Sequence, residues 1–184
     1  LIKQGVMQEL LTGKRRLSGL TGIVRSYQFD QIFNRIPSKK HQISTKDYSS
    51  SGLYPVIDQG QSSIAGYSDN VEKVYRCSKN GVIVFGDHTR EFKYVDFDFI
   101  VGADGTQILQ TKSGFCAQYL YFYMLNIDIP NTGYNRHFKY LSRVPYHIPD
   151  LNEQQQIAEI LMYESGEITN LEKLMSKYRN LKQA

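Results

Sequence analysis

Three short segments of the chain combine amide, hydroxyl, imidazole and cationic side chains, which are the groups that bind nucleic-acid bases and phosphates. The first holds Gln59, Gln61 and Ser62, the second His88, Thr89, Arg90 and Lys93, and the third Tyr134, Asn135, Arg136, His137 and Lys139. Arginine pairs with guanine, asparagine or glutamine with adenine, and lysine with phosphate. These residues are therefore predicted to contact DNA, against the alternative that they are ordinary surface loops.

Catalytic chemistry finds little support in the sequence. Asp87 lies close to Glu91-Phe92-Lys93, a combination seen in magnesium-dependent nucleases, but the spacing is too short to place the groups on two adjacent strands. Gly13-Lys14 lacks the Ser or Thr and the upstream glycine of a phosphate-binding loop. No Gly-x-Ser-x-Gly elbow is present. The sequence predicts no catalytic residue and no cofactor.

Metal binding and a disulfide framework are also not indicated. The four histidines lack metal-binding spacing, and Cys77 and Cys116 match neither a zinc site nor a disulfide pattern. Two isolated cysteines suit a reducing compartment, and no apolar run of transmembrane length or signal peptide is present. A cytoplasmic protein without a membrane segment is therefore expected. The initial Leu1 suggests a processed or excised segment.

The net charge is +4, and the basic excess lies before residue 150. It includes Lys14-Arg15-Arg16 and Lys39-Lys40. Such an excess is typical of a solvated surface, and its functional interpretation is a surface that faces phosphates.

A long helix is predicted for residues 150–184. Asp150 with Glu153, or Asn152 with Gln155, fits a capping box at its start. A helix of about 30 residues would be roughly 45 Å long at ~1.5 Å per residue. Its apolar residues repeat at coiled-coil spacing, with Glu164 as a polar member. The predicted seam consists of Leu161, Ile168, Leu171, Met175 and Tyr178.

The two ends of the chain resemble each other. Asn180–Ala184 aligns with Leu1–Gly5 at an offset of 179 residues. When the coiled-coil spacing of the seam is extended past Tyr178 and 179 is subtracted from the new positions, they correspond to Val6 and Leu10. Residues 2–11 are predicted to form a helix. They match the segment that would continue the last helix, as expected if the chain contains one copy of a repeat and the end of the preceding copy. The alternative is two unrelated amphipathic helices.

Short strands and turns are predicted between these helices. The run Gly81–Gly86 is continuously apolar and predicts a central strand. Acidic and apolar side chains alternate within Tyr94–Val101, so that Asp96 and Asp98 are predicted to point outward and Val95, Phe97 and Phe99 inward. Val71–Tyr75 and Thr106–Thr111 are also predicted as strands, and Ala117–Leu125 has helical periodicity. Tyr54–Ile57 is a short apolar run that precedes a polar loop. The expected fold is α/β (α+β) with a mixed or antiparallel sheet, divided into a helical tail and linker (1–20), a globular domain (21–149) and a long helix (150–184).

Several motifs carry a resemblance to a known family. Residues 7–16 resemble the end, and residues 148–161 the start, of the conserved helical region of type I restriction–modification specificity subunits. Tyr54–Ile57 with Gly60 and Gly66-Tyr67, then Val84–Thr89 and Phe99–Gly102, are similar to the target recognition domain of those subunits.

The resemblance implies a non-catalytic subunit that reads double-stranded DNA. Such subunits have two target recognition domains separated by long antiparallel helices, and they hold modification and restriction subunits. This chain has one recognition domain, which implies a half-subunit or fragment that forms a homodimer or pairs with a second half through an antiparallel coiled coil. Two other classes stay open: a DNA methyltransferase or nuclease fragment, and a coiled-coil protein-interaction module.

Overall fold

The computed structural model describes residues 2–17 and 22–166. Its α-helices within these ranges are α1 (Ile2–Leu11), α2 (Phe29–Ile32), α3 (Ala117–Leu125), α4 (Phe138–Leu141) and α5 (151–166). Short 3₁₀ turns occupy Ser38–His41, Thr45–Asp47 and Val71–Lys73. None of the helices in the described ranges combines the length and the apolar character needed to cross a membrane.

The strands form two four-stranded sheets and a two-stranded ribbon. The strands are β1 (Arg25–Tyr27), β2 (Phe33–Ile36), β3 (Tyr54–Ile57), β4 (Gly66–Ser68), β5 (Val74–Tyr75), β6 (Val82–Gly86), β7 (Phe92–Val95), β8 (Phe99–Val101), β9 (Thr106–Thr111) and β10 (Tyr146–Ile148). Sheet I has the order β2-β9-β6-β7 and is antiparallel, whereas sheet II has the order β4-β3-β8-β5 and is mixed, because β3 and β8 run parallel. The predicted α+β class with antiparallel and mixed sheets is confirmed.

Strand β6 is central and buried on both faces, as its continuous apolar run predicts. Successive strand residues point to opposite faces. Ile83 and Phe85 pack into a core under the helices, and Val82 and Val84 pack into a second core shared with sheet II. Sheet I is therefore the middle layer between helices and sheet II.

The chain passes from sheet I to sheet II within the segment that was predicted as one alternating strand. Strand β7 ends at Val95, and β8 begins at Phe99 in the other sheet. Asp98 accepts hydrogen bonds from the Cys77 backbone N–H (2.9 Å) and from Arg76 (2.6 Å), which holds the corner between the strands. The prediction of a single strand with Phe97 inward was wrong, since Phe97 is exposed on that corner.

The segment Val71–Tyr75 also departs from its prediction. Residues 71–73 form a 3₁₀ turn, and only Val74 and Tyr75 pair with β8. Val71 is exposed, whereas Val74 and Tyr75 are buried, so the strand includes only the residues that reach the core.

Helices α1 and α5 pack into the same core as the globular part. Asp150 accepts a hydrogen bond from the Glu153 backbone N–H (3.0 Å), which is the capping contact predicted for this pair. The Glu153 side chain does not complete the box. Instead the side chain is only 4% exposed, and its carboxylate forms a two-point ion pair with Arg16, beyond the end of α1.

The predicted pairing seam begins inside this core. Leu161 and Leu10 are both buried there, so these two residues pack within the chain rather than against a partner helix. Ile168, Leu171, Met175 and Tyr178 lie outside the described residues, and Val6 lies in α1. The linker predicted near residue 20 also falls mostly outside them. Strands β1 and β10 pair and bring the two ends of the globular part together.

Candidate nucleic-acid interface

The three predicted segments meet at one edge of the molecule, where β3 and β6 end and β9 begins. Gln59 connects the first segment to the second and to the loop that contains Asp104: its Nε2 donates to the Asp104 carbonyl (2.8 Å), and its Oε1 accepts from the His88 backbone N–H (3.3 Å). The Thr89 hydroxyl donates to the Gln59 carbonyl (2.6 Å). Gln59 therefore joins the loops after β3, after β6 and before β9.

Gly105 allows these loops to approach closely. Its φ of +87° lies in the region that favours glycine, and a Cβ at this position would lie 2.6 Å from His88 Cδ2. Any side chain here would push the His88 loop away from the Asp104 loop.

Asp87 ties the third segment to the second. The Asp87 side chain is buried, and its Oδ1 accepts from the Phe138 backbone N–H at the start of α4 (2.7 Å). The Asp87 carbonyl accepts from the His137 backbone N–H (2.8 Å) and lies 3.0 Å from His137 Nδ1. His137 is fully buried, so it positions the loop. Its predicted contact with DNA does not fit this geometry, because no face of the ring reaches the surface.

Two basic residues of the second segment bind backbone carbonyls. Lys93 Nζ donates to the Asp58 carbonyl (2.7 Å) and lies 3.7 Å from the Asp58 carboxylate, with only 10% of its side chain exposed. Burial lowers the pKa of Lys93, although the Asp58 carboxylate opposes the shift. Arg90, at a φ of +66°, donates to the Ile129 carbonyl (3.0 Å). Lys93 therefore has a structural contact within the protein, and its contact with DNA stays a prediction.

The remaining predicted residues lie on the surface. Tyr134 is 84% exposed, and its ring stacks on His88 with the centroids 4.5 Å apart and 9° between the planes. Lys139 lies over the Tyr140 ring (4.9 Å). Gln61, Ser62, Asn135 and Arg136 are exposed. Gln61 borders a separate groove beside α5, so the structure does not group it with Arg136.

Arg136 borders an open depression of about 400 Å³ beside the His88–Tyr134 stack. Its polar and charged lining includes Arg35, Lys39, Gln42, Asp104, Gln107 and Arg136. Cations outnumber carboxylates in this lining, so the depression favours an anionic ligand such as nucleic acid. The sequence indicated Lys39 only as part of a basic pair and missed Arg35, Gln42 and Gln107. For Arg35 and Gln107 the missing signal is the pairing of β2 with β9, which a single segment does not reveal.

The metal-ligating and thiol side chains of the described residues do not form a further site. No cluster of three or more His, Cys, Asp or Glu side chains that could hold a metal occurs within residues 2–17 and 22–166. Cys77 and Cys116 are free thiols, and burial raises the pKa of Cys77 to about 11, which keeps it protonated at neutral pH.

Comparison with known sequences gives a family match over most of the chain. Residues 24–175 match the family described as "Type I restriction modification DNA specificity domain". A 60-residue stretch is 40% identical to the specificity subunit of the type I restriction enzyme EcoR124I/EcoR124II of Escherichia coli. That stretch is 33% of this chain and 15% of the relative.

Solved structures share the fold at low sequence identity. The type I restriction-modification S subunit from M. genitalium superposes with a TM-score of 0.68 over 95% of this chain, at 13% identity. The HsdS subunit from Thermoanaerobacter tengcongensis gives 0.56 over 93%, at 16% identity. A chain from a structure of type I restriction-modification complex assembly gives 0.62 over 95%, at 17% identity. This chain spans about half the length of each of them, between 45% and 49%.

Proposed function

Because the chain belongs to the family of type I restriction modification DNA specificity domains, we propose that it reads a specific sequence in double-stranded DNA as part of a type I specificity subunit. In this proposal the chain recognises DNA and does not itself cut or methylate it. Those reactions belong to the restriction and modification subunits with which it would assemble.

The observation that carries the proposal is the edge formed by the depression and the His88–Tyr134 stack. Gln59 and Asp87 hold the surrounding loops by hydrogen bonds within the protein, so the exposed side chains are positioned before any ligand arrives. Arg35, Lys39 and Arg136 together make the depression positive, which attracts the polyanionic duplex. Exposed Asn135 and Arg136 supply the donors and acceptors that distinguish base edges.

The described residues form one globular part, and the chain spans about half of each solved subunit. We infer that this part is one half of a bipartite reader, either as a separate half-subunit or as a piece of a longer subunit. As a separate half-subunit it would form a homodimer or pair with a second half, through an antiparallel coiled coil that includes Ile168, Leu171, Met175 and Tyr178. The two free cysteines agree with a location in the reducing cytoplasm, where its DNA would be found.

The test is selection of bound sequences from a pool of random duplexes, followed by binding of the selected and random duplexes at increasing salt. The proposal predicts one enriched sequence, and binding to it that weakens steeply with salt because phosphate contacts release counterions. A two-fold dimer presents two inverted copies of the same surface, so its target should be an interrupted palindrome. A single half-site without its inverted mate would contradict the homodimer, and no enrichment at all would contradict sequence reading.

Helix pairing has a separate test. Leu171→Glu places a charge on the predicted seam and should shift sedimentation toward the monomer. Thr169→Glu adds the same charge outside the predicted seam and is the matched control. Equal sedimentation of both variants and the wild type would show that the seam is wrongly assigned.

A further inference from the structure

Arg35 lies where the helical core of sheet I meets the surface. Side chains on β2 alternate, so Arg35 shares a face with Phe33, which is buried in that core. Arg35 pairs with Leu109 on β9, and Gln107 is the diagonal neighbour on the same face. Arg35 is exposed, whereas Gln107 is only 8% exposed.

Two contacts fix the plane of the Arg35 guanidinium. Its Nε donates to Gln107 Oε1 (2.7 Å), and its central carbon lies 4.6 Å from the centroid of the Phe138 ring. Phe138 is itself held edge-on against Phe29, with ring centroids 5.2 Å apart. The Phe138 backbone N–H donates to the Asp87 carboxylate. The guanidinium is therefore supported by the core at its inner edge and across one face.

The outer edge of the guanidinium remains available. Neither Nη atom of Arg35 has a hydrogen-bond partner among residues 2–17 and 22–166, and the side chain borders the cationic depression. Asp104, a carboxylate in the same lining, accepts a hydrogen bond from Gln42 (3.0 Å) and is not paired with Arg35. Arg35 thus presents two parallel donors in a fixed plane.

Two parallel donors match the O6 and N7 acceptors of guanine on the major-groove edge. A phosphate contact requires positive charge but little orientation, and the lining supplies that charge at Lys39 and Arg136 as well. Because the Arg35 plane is fixed by a buried amide and an anchored ring, its geometry favours a base. Little side-chain entropy would be lost when it binds.

We propose that Arg35 reads a guanine in the DNA target, and that Gln107 and Phe138 are its positioning residues. The inference rests on the proposed function, since it assigns one base of the sequence that the chain would recognise. It adds a specificity residue that belongs to none of the three polar segments.

The decisive variant is Arg35→Lys, which keeps the positive charge and removes the planar pair of donors. Duplex selection is run with the full chain, with Arg35→Lys and with Arg25→Lys. Arg25 is exposed on β1, does not border the depression and controls for the same substitution elsewhere on the surface. The wild type should enrich a guanine at one position, and Arg35→Lys should lose roughly 5- to 150-fold of the preference there. The salt dependence should stay the same, and Arg25→Lys should select the wild-type sequence.

A pair of variants at Gln107 tests positioning. Gln107→Leu removes the acceptor for Arg35 Nε and should weaken the guanine preference without changing the salt dependence. Gln107→Glu keeps an acceptor and should retain the preference, although its negative charge lowers affinity for all duplexes. Circular dichroism and thermal denaturation establish that each variant is folded.

The outcomes separate the two proposals. If the wild type selects a sequence and Arg35→Lys selects the same sequence with the same base preferences, the role of Arg35 is contradicted and the proposed function stands. A wild-type target without any selected guanine also contradicts the inference alone. If the wild type enriches no sequence, the proposed function fails, and the inference fails with it.

Discussion

Lys93 and Arg136 are both cations of the predicted DNA-contacting segments, but they occupy different environments. Lys93 is largely buried and donates to the Asp58 carbonyl, whereas Arg136 is exposed at the rim of the depression. The first belongs with Gln59, Asp87 and His137 in an anchoring group that satisfies polar groups within the protein. Polar residues at this edge therefore have two functions, and accessibility distinguishes them better than residue type does.

The largest effect is expected for Asp87→Ala in the anchoring group. The change removes the acceptor of the Phe138 N–H and the side chain that holds the start of α4. It should lower the free energy of unfolding by roughly 2–4 kcal/mol, measured by urea denaturation. Asp87→Asn keeps an oxygen acceptor and should lose less. If Asp87→Ala had the same free energy of unfolding as the wild type, Asp87 would not contribute to anchoring these loops.

Arg136→Ala should give the opposite pattern. Arg136 is exposed, so the free energy of unfolding should change by no more than about 0.5 kcal/mol. Binding to the selected duplex should weaken by roughly 1–3 kcal/mol if the side chain contacts a base. Fluorescence anisotropy with selected and random duplexes measures both affinities. Equal losses on the two duplexes would assign Arg136 to a phosphate.

Lys93→Met should have a smaller effect that depends on pH. Burial lowers the pKa of Lys93 in the folded protein, so the unfolded chain binds more protons at this residue and the lysine's contribution to stability rises with pH. The wild type should therefore gain stability relative to Lys93→Met as the pH rises toward 10.5, by no more than about 1 kcal/mol. Urea denaturation of both proteins from pH 7 to 10 measures the difference. A constant difference would mean that Lys93 is equally solvated in both states.

The smallest effect is expected for Gln61→Ala. Gln61 is exposed and borders the groove beside α5 rather than the cationic depression. Its stability should change by no more than about 0.5 kcal/mol, and its selected sequence should match that of the wild type. An altered base preference in the selection experiment would extend the DNA-contacting surface to this loop.

Much of the fold follows from local patterns. The apolar run of β6, the aromatic periodicity of α3 and the Asp150 cap of α5 each depend on residues close in sequence, and the structure confirms all three. The corner between β7 and β8 was missed because alternation continues through Asp96 and Asp98 even though the strand changes sheets. That change depends on a contact with Cys77, which is distant in sequence.

The candidate site was predictable in part. The sequence indicated Tyr134, Asn135 and Arg136, which are exposed in the structure, because their loop is rich in polar and cationic residues. It could not separate Lys93 or His137 from them, because burial depends on tertiary packing. Arg35 and Gln107 lie 72 positions apart in the chain and become neighbours only through the pairing of β2 with β9.

The connections made by Gln59 have a consequence for the kinetics of recognition. A surface whose loops must first become ordered binds slowly, because only a fraction of encounters finds the competent conformation. Gln59 links three loops by hydrogen bonds in the free protein, so most encounters meet an ordered surface. The association rate should then depend on electrostatic attraction and decrease with salt, while differences between cognate and other duplexes should lie in the dissociation rate.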